Sequence, residues 1–150
     1  FYYYGKKWKQ VMEESKFSLC PRGYGRTSYH VMEALQMGLI PIHVYIQGDK
    51  PWLPYENIMK NISYSVTNEQ LPELVTLLTN MPDSEIANIE ETIGKLRQDY
   101  FTFEGVLKQI SKFMLDPMGS DLICQAIPSD SGSKNKKTKS CNRRRRKRGK

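Results

Sequence analysis

Apolar positions change their spacing several times along the chain. Within residues 6–14, Trp8, Val11 and Met12 share one side among Lys6, Lys7, Lys9, Glu13 and Glu14, the pattern of a short amphipathic helix. Phe17 to Cys20 is a short run that suits a buried strand. Pro21 to Thr27 reads as a loop, because Pro and two glycines break regular structure and glycine supplies positive φ where a turn needs it. Ser28 stands where it can cap a helix whose Val31, Met32, Leu35 and Met37 face inward, and Gly38 is a natural stop. Leu39 to Tyr45 predicts a second strand, with Pro41 marking an edge or a bulge near its start. After a loop at Gly48 to Pro54, Ile62 to Val66 alternates with period two and predicts a third strand.

The remaining apolar pattern is helical. Asn68 is placed to cap a helix running to about Leu78, and Asp83 or Ser84 a longer one carrying Ile86, Ile89, Ile93, Leu96, Tyr100, Phe103, Leu107, Ile110 and Met114. Spacings of three and four alternate there as in a coiled coil, but no sustained charge pairing flanks them. Helices packed on a core, broken near Phe101 and Thr102, are the expectation. Helix, strand, glycine-bearing loop, helix, strand, loop, strand, helix is the order of an α/β fold with an open sheet, whose ligands sit at the carboxyl ends of the strands.

Composition divides the chain in two. Residues 134–150 hold 11 of the 23 Lys and Arg and none of the 16 Asp and Glu, so residues 1–133 carry 12 basic against 16 acidic side chains. The body is mildly acidic, and any affinity for nucleic acid or another anionic partner belongs to the tail. From Pro128 onward there is little apolar surface to offset the entropy of ordering, which predicts a domain over 1–127 and a disordered basic tail over 128–150. Cys20, Cys124 and Cys141 form an odd set without a CxxC, unlike a disulfide framework or zinc ribbon, and the histidines have no ligand spacing, so neither a metal nor a cofactor is expected. The longest mostly apolar stretch, Leu39 to Ile46, is far shorter than the roughly 20 residues that span a bilayer. The chain opens at Phe1 rather than Met, which leaves room for a preceding segment.

Candidate chemistry concentrates in the first loop, which gathers Arg22, Gly23, Gly25, Arg26, Thr27 and Ser28 at the start of a helix. Free amides of that helix, its macrodipole and an arginine fork together suit a diphosphate. A P-loop and the third glycine of a dinucleotide fingerprint are both absent, so spacing alone also allows a plain glycine turn. Glu33, one to two turns into the helix, can reach the ribose hydroxyls of the same nucleotide or simply face solvent. His30 and His43 read as core or surface histidines. Trp52 and Tyr55 are aromatic candidates for flanking a sugar or base, and Asp49 and Glu56 are carboxylates from which nothing selects a general base. Asn61-Ile62-Ser63 is a glycosylation sequon, relevant in a secretory setting.

The string SKFSLCPRGYGRTSYHVMEALQMGLIPIHVYIQGDKPWLPYENI, residues 15–58, resembles the exostosin-like glycosyltransferases. The similarity lies, in order, in a strand ending Cys-Pro-Arg-Gly, a Gly/Ser loop, a helix bearing Glu-Ala-Leu, a Gly-x-Ile-Pro-Val-like strand and a later Leu-Pro; it continues weakly to about residue 115. The resemblance implies a Rossmann-like open parallel sheet with flanking helices, the donor-binding half of an inverting GT-B enzyme. It implies a nucleoside diphosphate sugar as donor, UDP-linked, a glycan as acceptor, a Rossmann-like N-terminal half across a cleft, and a parent protein in the Golgi membrane. Arg22 falls on its diphosphate-binding arginine, Ser28 on its phosphate-side hydroxyl and Glu33 on its ribose-binding glutamate. GT-B enzymes use basic residues and helix dipoles rather than a DxD-bound cation. One position departs: the family often carries Arg two residues after the loop serine, where this chain has His30, leaving Arg26 to supply the missing charge. The alternative is a non-enzymatic, degenerate nucleotide-binding module whose tail meets nucleic acid or acidic partners.

Overall fold

Parallel strands need long crossovers, and the spacing of apolar runs in this chain supplies them. The structure, a computed structural model, describes residues 5–49 and 51–116. After helix α1 (Trp8–Glu13) come strand β1 (Phe17–Pro21), helix α2 (Tyr29–Gln36), strand β2 (Ile40–Tyr45), helix α3 (Glu56–Ile62) and strand β3 (Tyr64–Thr67). Helices α4 (Leu71–Thr79), α5 (Asp83–Leu96) and α6 (Phe103–Leu115) follow, with a π-type turn at Arg97–Phe101 between the last two. Among the described residues the strands form one parallel sheet in the order β1, β2, β3, with Cys20 opposite His43 and His43 opposite Ser65. The α/β class and the parallel sheet are as expected. No helix of the described residues is long and apolar enough to cross a membrane.

Both faces of the sheet are covered. Ser18 and Cys20 point toward α2, and strand alternation puts their neighbours Pro41 and His43 on the same face. Cys20 packs there with Val31, Ala34 and Leu35 of α2, Met59 and Ile62 of α3, Ile86 and Ile93 of α5, and Phe101. The opposite face presents Ile42 and Val44 to Leu74 and Leu78 of α4. Over β1 the cover of that second face is partial among the described residues: Phe17 packs against the cluster, whereas Leu19 is 52% exposed. His43 is fully buried beside Tyr45, and neither ring nitrogen has a hydrogen-bond partner among the described residues. Burial therefore lowers its pKa below the usual histidine value and keeps it neutral.

Several boundaries differ from expectation for physical reasons. Helix α3 was not anticipated: Tyr55 starts it in the left-handed region at φ 56°, buried and edge-on to Tyr100 at 5.2 Å. Ile62 closes that helix instead of opening a strand, so β3 begins at Tyr64. Asn68 caps nothing; Gln70 precedes α4, and its Oε1 accepts the Thr67 amide at 3.1 Å. Pro82, not Asp83 or Ser84, holds the cap position of α5, while Asp83 pairs with Lys16 at 2.7 Å. Pro41 stands in the central strand without a bulge. Ile40 donates to Lys16 on the β1 side, so the Pro41 nitrogen turns toward β3, one residue before that ladder begins at Ile42.

The expected break near Phe101 and Thr102 is a π-type turn followed by a capped helix. The Thr102 amide reaches back to the Arg97 carbonyl at 3.1 Å, and Thr102 Oγ1 accepts the Gly105 amide at 3.1 Å. Gln36 ties this corner to α2 by donating to the Phe101 carbonyl at 2.7 Å, and Gln109 donates to the Asp99 carbonyl at 2.8 Å. The helices pack on the core as expected, with Ile86 and Ile93 buried, although Phe103, Leu107, Ile110 and Met114 of α6 remain exposed. The expected boundary near Ile127, the basic tail, Cys124 and Cys141 lie outside the described residues.

Candidate functional site

Pro21 ends β1 because it has no amide to continue a ladder, and the chain turns at once. The Arg22 amide makes the last bond to β2, donating to the Val44 carbonyl at 2.8 Å. Gly23 donates to the Thr27 carbonyl at 3.4 Å, closing residues 23–27 into a small loop, and the Trp52 amide donates to the Arg26 carbonyl at 3.1 Å. The loops after β1 and β2 are thereby joined at the carboxyl ends of their strands. Gly23 and Gly25 do not adopt positive φ; Gly38 and Gly48 do, so the conformational role expected of the loop glycines falls elsewhere. A Cβ at Gly23 or Gly25 would project into open space, so neither glycine is required by close packing.

Ser28 occupies the N-cap position of α2 in an extended conformation, as expected, but its hydroxyl makes no capping bond. The orphan amides of the first turn of α2 thus lie at the same end of the sheet as Arg22, and the Ser28 hydroxyl is not spent on capping them. The Arg22 guanidinium is mostly buried and pairs through Nη1 with Oδ2 of Asp49, from the loop after β2. Asp49 is therefore the counter-ion of the candidate phosphate arginine, a link sequence reasoning did not make. Trp52 is half-exposed with its backbone bonded to the loop, whereas Tyr55 packs in the core.

Glu33 lies on α2 with its side chain 65% exposed, and its Oε2 is 2.9 Å from His30 Nδ1. His30 Nε2 is in turn 3.0 Å from the Ser18 hydroxyl on β1. His30 is thus tied to both β1 and Glu33 rather than standing alone at the surface. The i, i+3 spacing of His30 and Glu33 on one helix face was the available signal for their contact. Cys20, beneath the site, has its thiol pushed up to about 12 by burial, with a smaller contribution from Glu33 in the same direction, and is a core residue rather than a nucleophile.

Arg22, Arg26, Thr27, Ser28 and the two glycines are thus gathered by one short loop, with Glu33 further along the helix that the loop starts. Residues 3–81 match the family model of the Exostosin GT47 domain. Two Arabidopsis thaliana proteins named as glycosyltransferases are 26% identical over 96 residues and 30% identical over 98, covering 63% and 64% of this chain. A protein of rice, Oryza sativa subsp. japonica, named as a glucuronosyltransferase is 34% identical over 77 residues, 50% of this chain and 18% of its own length. The aligned part spans 20% and 18% of the two Arabidopsis relatives.

Proposed function

The chain belongs to the exostosin GT47 family of glycosyltransferases, and from that premise we propose that it is the donor-binding portion of an inverting transferase. Its ligand is a nucleoside diphosphate sugar, UDP-linked, whose glycosyl group passes to a glycan acceptor. The observation that carries the reading is that Arg22 and the start of α2 share the carboxyl end of β1, with Glu33 further along the same helix. The diphosphate lies between the Arg22 guanidinium and the first amides of α2, with the Ser28 hydroxyl beside it. Glu33 accepts hydrogen bonds from the ribose hydroxyls.

Inversion requires the acceptor hydroxyl to attack the anomeric carbon opposite the departing diphosphate. As the bond to the leaving oxygen breaks, negative charge grows on the diphosphate, and Arg22 with the α2 dipole stabilises it most at that moment. The acceptor wall, the exclusion of water and the base that takes the hydroxyl proton come from a Rossmann-like half across the cleft. In this reading the parent protein works in the Golgi membrane, where the Asn61 sequon has meaning, and the basic tail meets an anionic partner.

Calorimetric titration with UDP and UDP-sugars, beside an assay of UDP release with and without oligosaccharide acceptors, tests the proposal. This chain alone is expected to bind nucleotide and transfer nothing, because a half-open site encloses one side of its ligand. Acceptor-dependent turnover would overturn the half-enzyme reading. A folded sample that bound no nucleotide would overturn donor binding itself.

A further inference from the structure

We propose that His30 is a positioning residue that holds the Glu33 carboxylate in place for the ribose, using the Ser18 hydroxyl on β1 as its fixed support. The inference rests on the donor-site reading above and adds two residues to it. Ser18 is 9% exposed in β1, where its backbone is paired with Pro41 of the central strand, so its hydroxyl is a rigid point. His30 Nε2 lies 3.0 Å from that hydroxyl and His30 Nδ1 lies 2.9 Å from Glu33 Oε2.

The chemistry of the three groups sets the direction of the chain. An ionised carboxylate only accepts, so Nδ1 carries the proton that bonds Glu33. A neutral imidazole has a single N–H, so Nε2 accepts and the Ser18 hydroxyl donates. The ring is thereby fixed at both nitrogens, one to the sheet and one to the carboxylate. Glu33 is otherwise a long exposed side chain with many rotamers, and ordering it on binding would cost affinity. With Oε2 held by His30, Oε1 is left to accept from vicinal hydroxyls. Arginine at position 30 would bring only donors and a permanent positive charge to the same two groups, so a link that can both accept from Ser18 and donate to Glu33 is particular to histidine. The residue that departs from the family pattern therefore has its own use in this chain.

The test compares UDP with 2′,3′-dideoxy-UDP, whose ribose offers Glu33 nothing. Both are titrated into the full chain as wild type and as Glu33→Gln, His30→Ala, His30→Asn and Ser18→Ala. Wild type is expected to prefer UDP, and Glu33→Gln to lose most of that preference. His30→Ala should reduce the preference at least about tenfold while dideoxy-UDP affinity stays within about twofold, as expected for one lost hydrogen bond to a charged group. His30→Asn, which restores a donor near the Nδ1 position, should recover most of the preference, and Ser18→Ala should fall between. If His30→Ala unfolds, the last two variants carry the comparison. Equal losses for both ligands, or an unchanged preference in His30→Ala where Glu33→Gln loses it, would overturn the role of His30 alone. A wild type without preference would overturn the ribose contact and this inference together.

Discussion

Arg22 meets Asp49 in this structure, and that pairing decides what substitutions at either residue should do. A guanidinium fork matches phosphate oxygens in pairs, whereas an ammonium is a point charge. Arg22→Lys should therefore weaken UDP by about tenfold and uridine by less than about twofold in parallel titrations. Asp49 is a carboxylate where phosphate should come. Two unit charges at 4 Å repel by about 1 kcal/mol even in water-like surroundings. Asp49→Asn should accordingly tighten UDP about fivefold, leaving uridine unchanged.

His43 gives a prediction about stability. Its folded pKa is lowered by burial beneath an unfolded value near 6.5, so protons favour the unfolded chain. Its contribution is full above about pH 6.5 and is lost as the pH falls through the folded value. Melting temperatures followed from pH 7 to 5 should fall for wild type and fall less for His43→Leu, which has no proton to take up.

At the scale of elements, the corner between α5 and α6 is the least forgiving. A Cβ on Gly105 would sit 2.6 Å from the Gln98 carbonyl oxygen and 2.8 Å from the Asp99 carbonyl carbon, both backbone atoms of the π-type turn. Gly105→Ala should cost about 1–3 kcal/mol, read as a drop of several degrees in Tm. Strands β1 and β2 could be read as short apolar runs bounded by turn residues, and α2 and α5 from the helical spacing of their apolar residues. Helix α3 could not: seven residues after two prolines hold Ile58, Met59 and Ile62, and Ile62-x-Tyr64-x-Val66 imitates a strand across a real helix end. The break near Phe101 and Thr102 could be read, but not that it takes the form of a π-type turn, one residue wider than an α-helical one.

Of the candidate site, the sequence showed where its residues cluster but not their partners. Its loop residues adjoin in sequence, and a strand followed by Pro, Gly and Ser before a helix marks where they fall. Their partners lie 27 residues from Arg22, at Asp49, and 12 residues from His30, at Ser18, and such contacts arise only from folding.

For the whole molecule, charge and site should be separable. Deleting residues 134–150 removes 11 positive charges and leaves an acidic body. Salt-sensitive retention on heparin should vanish, with UDP affinity within about twofold of wild type; a parallel loss of UDP binding would show that the tail takes part in the site.

A sheet that runs β1, β2, β3 in one direction never reverses within the described residues. Crevices for ligands in open α/β sheets form where the strand order reverses, because loops from the two neighbouring strands there depart to opposite faces. Only a free edge remains for such a reversal, and the loop bearing Arg22 leaves from β1, which has one. Arg22 turns its amide toward β2, so alternation turns the Leu19 amide outward, and Pro21 has none to offer. A parallel neighbour laid along that edge and leading to the other face would convert the ledge of Arg22 and Glu33 into the floor of a cleft. Grip and enclosure would then belong to different stretches of chain: the loop would set how tightly phosphate is held, and the neighbouring strand how well water is kept from it.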